Sequence, residues 1–247
     1  MGRPILAEVC VKSSAMKTVW VSLIVVALTA VLLLSNRFLS VIPLQLHPAP
    51  TINALFKYQL FVGLLVLALL IVSLATHPSS RQFLALGNLG IPAAAEKWLG
   101  INGRASWAVN ALQLLLVISL ATGIFMFLGV QQAGRLSTFQ WSFVPVILIL
   151  ALCNSFSEEI IFRFFLIGQL YGAAPKLTIL ILSAVLFGLP HYFGQPSGVV
   201  GALMAGLLGY ILAKATYETQ GLGIAWSIHF VQDVLIYAAL FMLNPDL

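Results

Sequence analysis

Residues 141–170 read WSFVPVILILALCNSFSEEIIFRFFLIGQL, an apolar run with Glu158, Glu159 and Arg163 near its middle. A helix needs about 20 mainly apolar residues to cross a bilayer, and this stretch is long enough. Insertion scales charge about +2.5 to +3.5 kcal/mol for Asp, Lys or Arg at a helix centre. Charges placed there need mutual pairing, a water-filled cavity or a function to offset that cost.

The rest of the 247-residue chain agrees with a membrane setting. It is 61% hydrophobic and only 8% charged, with a mean hydropathy of +1.05. Soluble domains carry about 25% charged residues, so a water-soluble fold is excluded. Apolar runs separated by Pro, Gly and polar punctuation predict spans at Thr18 to Ser35, Asn53 to Thr76, Ser106 to Leu128, Trp141 to Leu170, Leu177 to Phe193, Gly198 to Ala213 and Leu222 to Leu243. The expected fold is therefore all-α: a polytopic transmembrane helix bundle of about seven spans, six to eight by composition, in a single integral membrane domain over 1–247. The first run follows Arg3, Lys12 and Lys17 but lacks a small-x-small cleavage site, and reads as a retained span. The C-terminal Asn244-Pro245-Asp246-Leu247 is no lipidation signal.

The net charge of +5 is distributed between spans as topology requires, without the aromatic-interleaved basic stripe of a nucleic-acid binder. Arg3, Lys12, Lys17, Arg81, Lys97, Arg104, Lys176 and Lys214 fall on the N-terminal side, against Arg37, Lys57 and Arg135 opposite. The positive-inside rule then puts the N-terminus in the cytoplasm. Short loops and no organelle-targeting segment suggest a prokaryotic plasma membrane. Cys10 and Cys153 form no paired framework, so neither a disulfide nor a thiolate metal site is expected. Between His77 and Ala105, Phe83, Leu84, Leu86, Leu89 and Ile91 suggest a short interfacial helix. Gly198, Gly201, Ala202, Ala205, Gly206 and Gly209 make a small-residue face for close helix packing.

The chemistry concentrates in the last four spans. Glu159 and Arg163 stand four apart with the acid first, the better order for a helical ion pair. Glu158 lies about 140° round an α-helix from Arg163, which leaves it free to act as a general base. Pro190 should disturb the helix just before His191, and His229 and Asp233 share a face. At 1.5 Å per residue, Glu158, His191, His229 and Asp233 all lie roughly 15 to 25 Å from the same membrane surface.

Three ordered motifs run through 154–235: Glu158-Glu159-Ile160-Ile161-Phe162-Arg163, Phe187-Gly188-Leu189-Pro190-His191 and His229-Phe230-Val231-Gln232-Asp233. As EExxxR, FxxxH and HxxxN/D, they resemble the CAAX protease and bacteriocin-processing family, also called the ABI or CPBP family. The resemblance implies a glutamate-dependent intramembrane endopeptidase. Glu158 would be its general base, with His191 helping to hold the water and His229 and Asp233 on the oxyanion-stabilising side. Glu159, Arg163 and Phe187 would support the site structurally. Two positions depart from the family. Phe164 replaces the glycine that often follows the motif arginine, which is expected to narrow the cavity, and Asp233 stands where the prenyl-protein proteases have asparagine. An ionised carboxylate repels an oxyanion, so Asp233 must be protonated or must orient His229.

Two other classes remain open on sequence: a non-catalytic immunity or scaffold protein of the same fold, and a proton-coupled transporter. Two histidines and a glutamate also match a catalytic zinc set, but HExxH is absent and the expected cofactor is none. The expected partners are a membrane-associated peptide or protein substrate and the lipid bilayer, with no nucleic acid. Glu218 and Lys214, at a loop edge, are expected to be solvated, and His47 and His77 carry no signal.

Overall fold

The computed structural model describes residues 3–136, 139–194 and 196–244, with side chains from Ser14 onward. Every extended element among them is helical. Helix α1 is Arg3–Leu39, α2 Pro50–Thr76, α3 Trp107–Gln132, α4 Val144–Glu159, α5 Leu166–Leu170, α6 Lys176–Gly188, α7 Gly198–Thr219 and α8 Gly223–Leu243. A π-turn, Ile160–Phe165, joins α4 to α5 as one span, and a 3₁₀ turn, Leu189–Phe193, extends α6. Seven stretches are long and apolar enough to cross a membrane, the first Ser14–Leu39 and the last Gly223–Leu243. The predicted spans thus appear within four residues of their expected ends, save that the sixth runs on from Ala213 to Thr219. The lysine and arginine residues before Ser14 and the C-terminal tail from Pro245 lie outside the described side chains.

Local chemistry sets the helix starts. Pro50 occupies the first turn of α2 and Pro145 that of α4, where a missing N–H costs nothing. Ser106 caps α3 by accepting from the Val109 N–H at 3.5 Å. Helices α1, α2 and α3 are the least buried of the spans, with Leu23, Leu64, Leu67, Val117 and Leu120 exposed. Packing between helices in lipid depends on close backbone approach, and α6 against α7 is the tightest case. A Cβ on Gly188 would lie 2.7 Å from the Ala202 carbonyl, and one on Gly201 would strike the Pro196 carbonyl. The small-residue face of α7 therefore lets α6 deliver the turn that carries His191.

The connection from α2 to α3 departs from expectation. Instead of an interfacial helix it is a folded strap: a 3₁₀ turn at Pro78–Leu84, isolated bridges Pro92↔Ser106 and Glu96↔Ile101, and a second 3₁₀ turn at Lys97–Leu99. Its backbone groups are satisfied by distant partners, which an interfacial helix would forgo. Leu222 N donates to the Ala85 carbonyl (2.9 Å), and Asn88 N to that of Thr219 (2.8 Å). Gly87, at φ 88°, lets the strap touch Thr219 where a Cβ would come within 2.7 Å of its hydroxyl.

The strap also overturns the solvated reading of Glu218 and Lys214. Lys214 is only 1% exposed. Glu218 Oε1 accepts from Lys176 Nζ (2.5 Å) and Lys214 Nζ (2.6 Å), and Oε2 from Trp107 Nε1 and the Ala94 N–H, both at 2.9 Å. Lys214 in turn donates to the Ala94 carbonyl at 2.9 Å. Burial follows because strap residues, far away in sequence, cover the end of α7. Glu218→Leu removes the close carboxylate of buried Lys214 and leaves it only the longer contact to Glu96 Oε2, at 3.8 Å, among the described residues. Removing one partner of a buried pair costs about 3–5 kcal/mol, and thermal unfolding in detergent is expected to show a loss of that order.

Candidate active site

The fold brings Glu158, Glu159, Arg163, His229 and Asp233 into one contiguous cluster. Arg163 and Glu159 are both fully buried, with Nη1 to Oε1 at 3.1 Å, i to i+4. Phe187 of α6 lies under the guanidinium, 4.3 Å from ring centroid to Cζ. The same ring meets His191 at 4.6 Å and His229 edge-on at 5.4 Å between centroids. Phe187 therefore wedges the cation and both imidazoles apart.

Glu159 does more than neutralise Arg163. Its Oε1 also lies 2.8 Å from His229 Nδ1, so one carboxylate oxygen serves both cation and imidazole. That bond directs His229 Nε2 away from the buried pair, and Nε2 sits 3.6 Å from both Glu158 Oε2 and Asp233 Oδ1. The π-turn begins at the residue after Glu159. Such wide turns are frequent at functional sites. It alters the regular angular spacing that separates Glu158 from Arg163 on an α-helix. Ser183 Oγ of α6 donates to the Phe162 carbonyl within it at 3.2 Å.

His191 stands on the 3₁₀ turn opened by Pro190, its Nδ1 2.7 Å from the Phe187 carbonyl. It shares cavities with the cluster. One, about 170 Å³, is lined by Tyr58, Glu158, Phe162, Pro190 and His191. The other, about 330 Å³, lies between α3, α7 and α8. Its walls include Leu114, Ile118, Met204 and Leu208, and its polar lining includes His191, His229, Gln232 and Asp233. His191 borders both. A wider recess of about 440 Å³ by Lys57, Tyr58 and Tyr237 has no acid or histidine in its lining. Phe164, expected to narrow the cavity, is instead fully buried in the core and lines neither site cavity.

Several polar partners escaped the motif reading. Asn154 Nδ2 bonds Glu158 Oε1 at 3.2 Å and Asp233 Oδ2 at 3.1 Å. Gln59 of α2 bonds Asn154 Oδ1 and the Tyr237 hydroxyl, each at 3.3 Å. The available signal was spacing: Asn154 precedes Glu158 by four residues and Tyr237 follows Asp233 by four, so each shares a helix face with an acid. Among the described residues, no group of three or more His, Cys, Asp or Glu side chains is arranged to hold a metal ion.

This constellation sets two acids and two imidazoles around two cavities that share His191, the parts a hydrolytic site needs. Residues 140–235 match the family model described as Type II CAAX prenyl endopeptidase Rce1-like. The matched stretch contains all three motifs and every acid and histidine of the cluster. No curated protein and no solved structure matches the chain.

Proposed function

We propose that this membrane protein of the CAAX protease and bacteriocin-processing family hydrolyses a peptide bond in a membrane-associated or hydrophobic peptide, using water activated by Glu158 and His191. The match of residues 140–235 to the Rce1-like family model supports a CAAX-protease-like membrane endopeptidase. The observation that carries the finer reading is the position of Glu158. Its Oε1 is held by Asn154, while Oε2 is buried and has no hydrogen-bond partner among the described residues, and the residue shares a cavity with His191.

In this reading the substrate chain lies along the apolar cavity of α3, α7 and α8. Glu158 Oε2 takes a proton from water as the water oxygen bonds to the scissile carbonyl carbon. His229 acts as the imidazolium: its Nδ1–H donates to Glu159 and its Nε2–H is presented to the developing oxyanion, and such preorganised donors are usually the largest single catalytic term. Collapse of the tetrahedral intermediate breaks the C–N bond, and Glu158 returns its proton to the leaving amine. Asp233 acts on the His229 ring rather than on the oxyanion, since a carboxylate would repel that charge.

The mechanism proposed is metal-independent. A chelator such as 1,10-phenanthroline is expected to leave turnover unchanged. Loss of turnover that zinc restores would assign the histidines to a metal instead. The substrate-level test compares membrane peptides from cells carrying wild type and Glu158→Ala. A cleaved species lost only in the variant supports the reading, whereas a phenotype rescued equally by the variant favours a non-catalytic membrane role.

A further inference from the structure

We propose that Asn154 is the positioning residue of this site, its side-chain amide tying the Glu158 carboxylate of α4 to the Asp233 carboxylate of α8. This rests on the reading of Glu158 as the base. One nitrogen, Nδ2, has two N–H groups and two acceptors, Glu158 Oε1 at 3.2 Å and Asp233 Oδ2 at 3.1 Å. The amide orientation follows from its other end, where Oδ1 accepts from Gln59 Nε2 at 3.3 Å. Flipping it would aim a carbonyl oxygen at two carboxylates and the Gln59 amino group at an amide nitrogen.

The bridge has a chemical consequence. Two carboxylates brought to one donor repel each other, more strongly away from bulk water. A neutral amide holds both without pairing off either charge, as a lysine or arginine would. It also divides each carboxylate into a held oxygen and a working one. For Glu158 the held atom is Oε1, and Oε2 stays free 3.6 Å from His229 Nε2. For Asp233 the held atom is Oδ2, and Oδ1 faces the same imidazole nitrogen at 3.6 Å. Gln59, 7% exposed, links the amide to α2 and to the Tyr237 hydroxyl on α8. Three helices are thereby registered at the level of the site. The amide that the resemblance leads one to expect at 233 is supplied from α4, facing the aspartate there.

The test combines kinetics with a measurement that needs no activity. Asn154 lines neither site cavity, so Asn154→Leu should lower kcat about 10²-fold, the scale of a 1 Å misplacement, with KM within about twofold. Asn154→Asp has the same shape but puts an acid where the amide donates, and should lose at least as much. A packing role would survive that isosteric change, so wild-type kcat in Asn154→Asp overturns the proposal. In parallel, thermal unfolding in detergent is measured for Asn154→Ala with and without Asp233→Ala. The drop in Tm caused by Asn154→Ala should shrink by at least about half when Asp233 is absent, because contacting residues are energetically coupled. Equal drops in both backgrounds overturn the bridge. Glu158→Ala runs beside them: if it turns over substrate like wild type, the reading of Glu158 fails, while the unfolding cycle still decides whether Asn154 ties the two helices.

Discussion

Glu158→Gln and His191→Ala are each expected to reduce turnover of a membrane peptide about 10²–10⁴-fold, the range of positioned acid–base catalysis, while the protein stays folded. Both residues are placed for removal without collapse. The Glu158 side chain is 20% exposed, and its contact with His229 Nε2 is a long one, 3.6 Å. Gln has the same shape and removes only the basic oxygen. His191 is half-buried, its Nδ1 bonds the Phe187 carbonyl, and the residue lines a cavity of about 170 Å³. Monodisperse elution in detergent and unchanged helical circular dichroism should accompany the lost turnover. A folded Glu158→Gln protein whose rate stays within tenfold of wild type would remove Glu158 from the role of base.

The sequence is most legible where one physical cause dominates. Span ends follow from the bilayer's demand for uninterrupted apolar residues, so 141–170 could be bounded by composition alone. The reactive acids and histidines are legible for the same reason, since charge in such a run stands out. What could not be read depends on contacts between distant segments. The strap over α7 is specified by pairings such as Ala85 with Leu222 and Asn88 with Thr219, and no local periodicity encodes them. Lys214 and Glu218 looked like a loop edge because the residues that bury them lie more than a hundred positions earlier. The rotation of α2 was equally hidden, because a helix apolar all round shows no preferred face, so Gln59 could not be aimed at Asn154 in advance. The π-turn after Glu159 has no sequence mark of its own. It lies between regular helix on both sides, and its six residues are all buried.

Arg163→Met is expected to be the most damaging single change for folding. It strips a fully buried guanidinium from Glu159, itself fully buried, and leaves that carboxylate with only His229 among the described residues. Breaking a buried pair from one side costs about 3–5 kcal/mol, so the variant should give little monodisperse protein and unfold at a much lower temperature. Glu159→Gln combined with Arg163→Met removes both charges and should recover much of that stability, because replacing a whole buried pair with neutral groups is often tolerated. Activity should part company with stability in this double variant. Glu159 Oε1 also holds His229 Nδ1 at 2.8 Å, and a neutral glutamine offers the imidazole no negative partner. The refolded double variant should therefore remain at least about 10²-fold slow, the loss associated with removing one oxyanion donor. The measurements are yield and Tm in detergent beside turnover per folded molecule. If the double variant regained both stability and wild-type turnover, Glu159 and Arg163 would be a support pair alone, and the orientation of His229 would have to come from elsewhere.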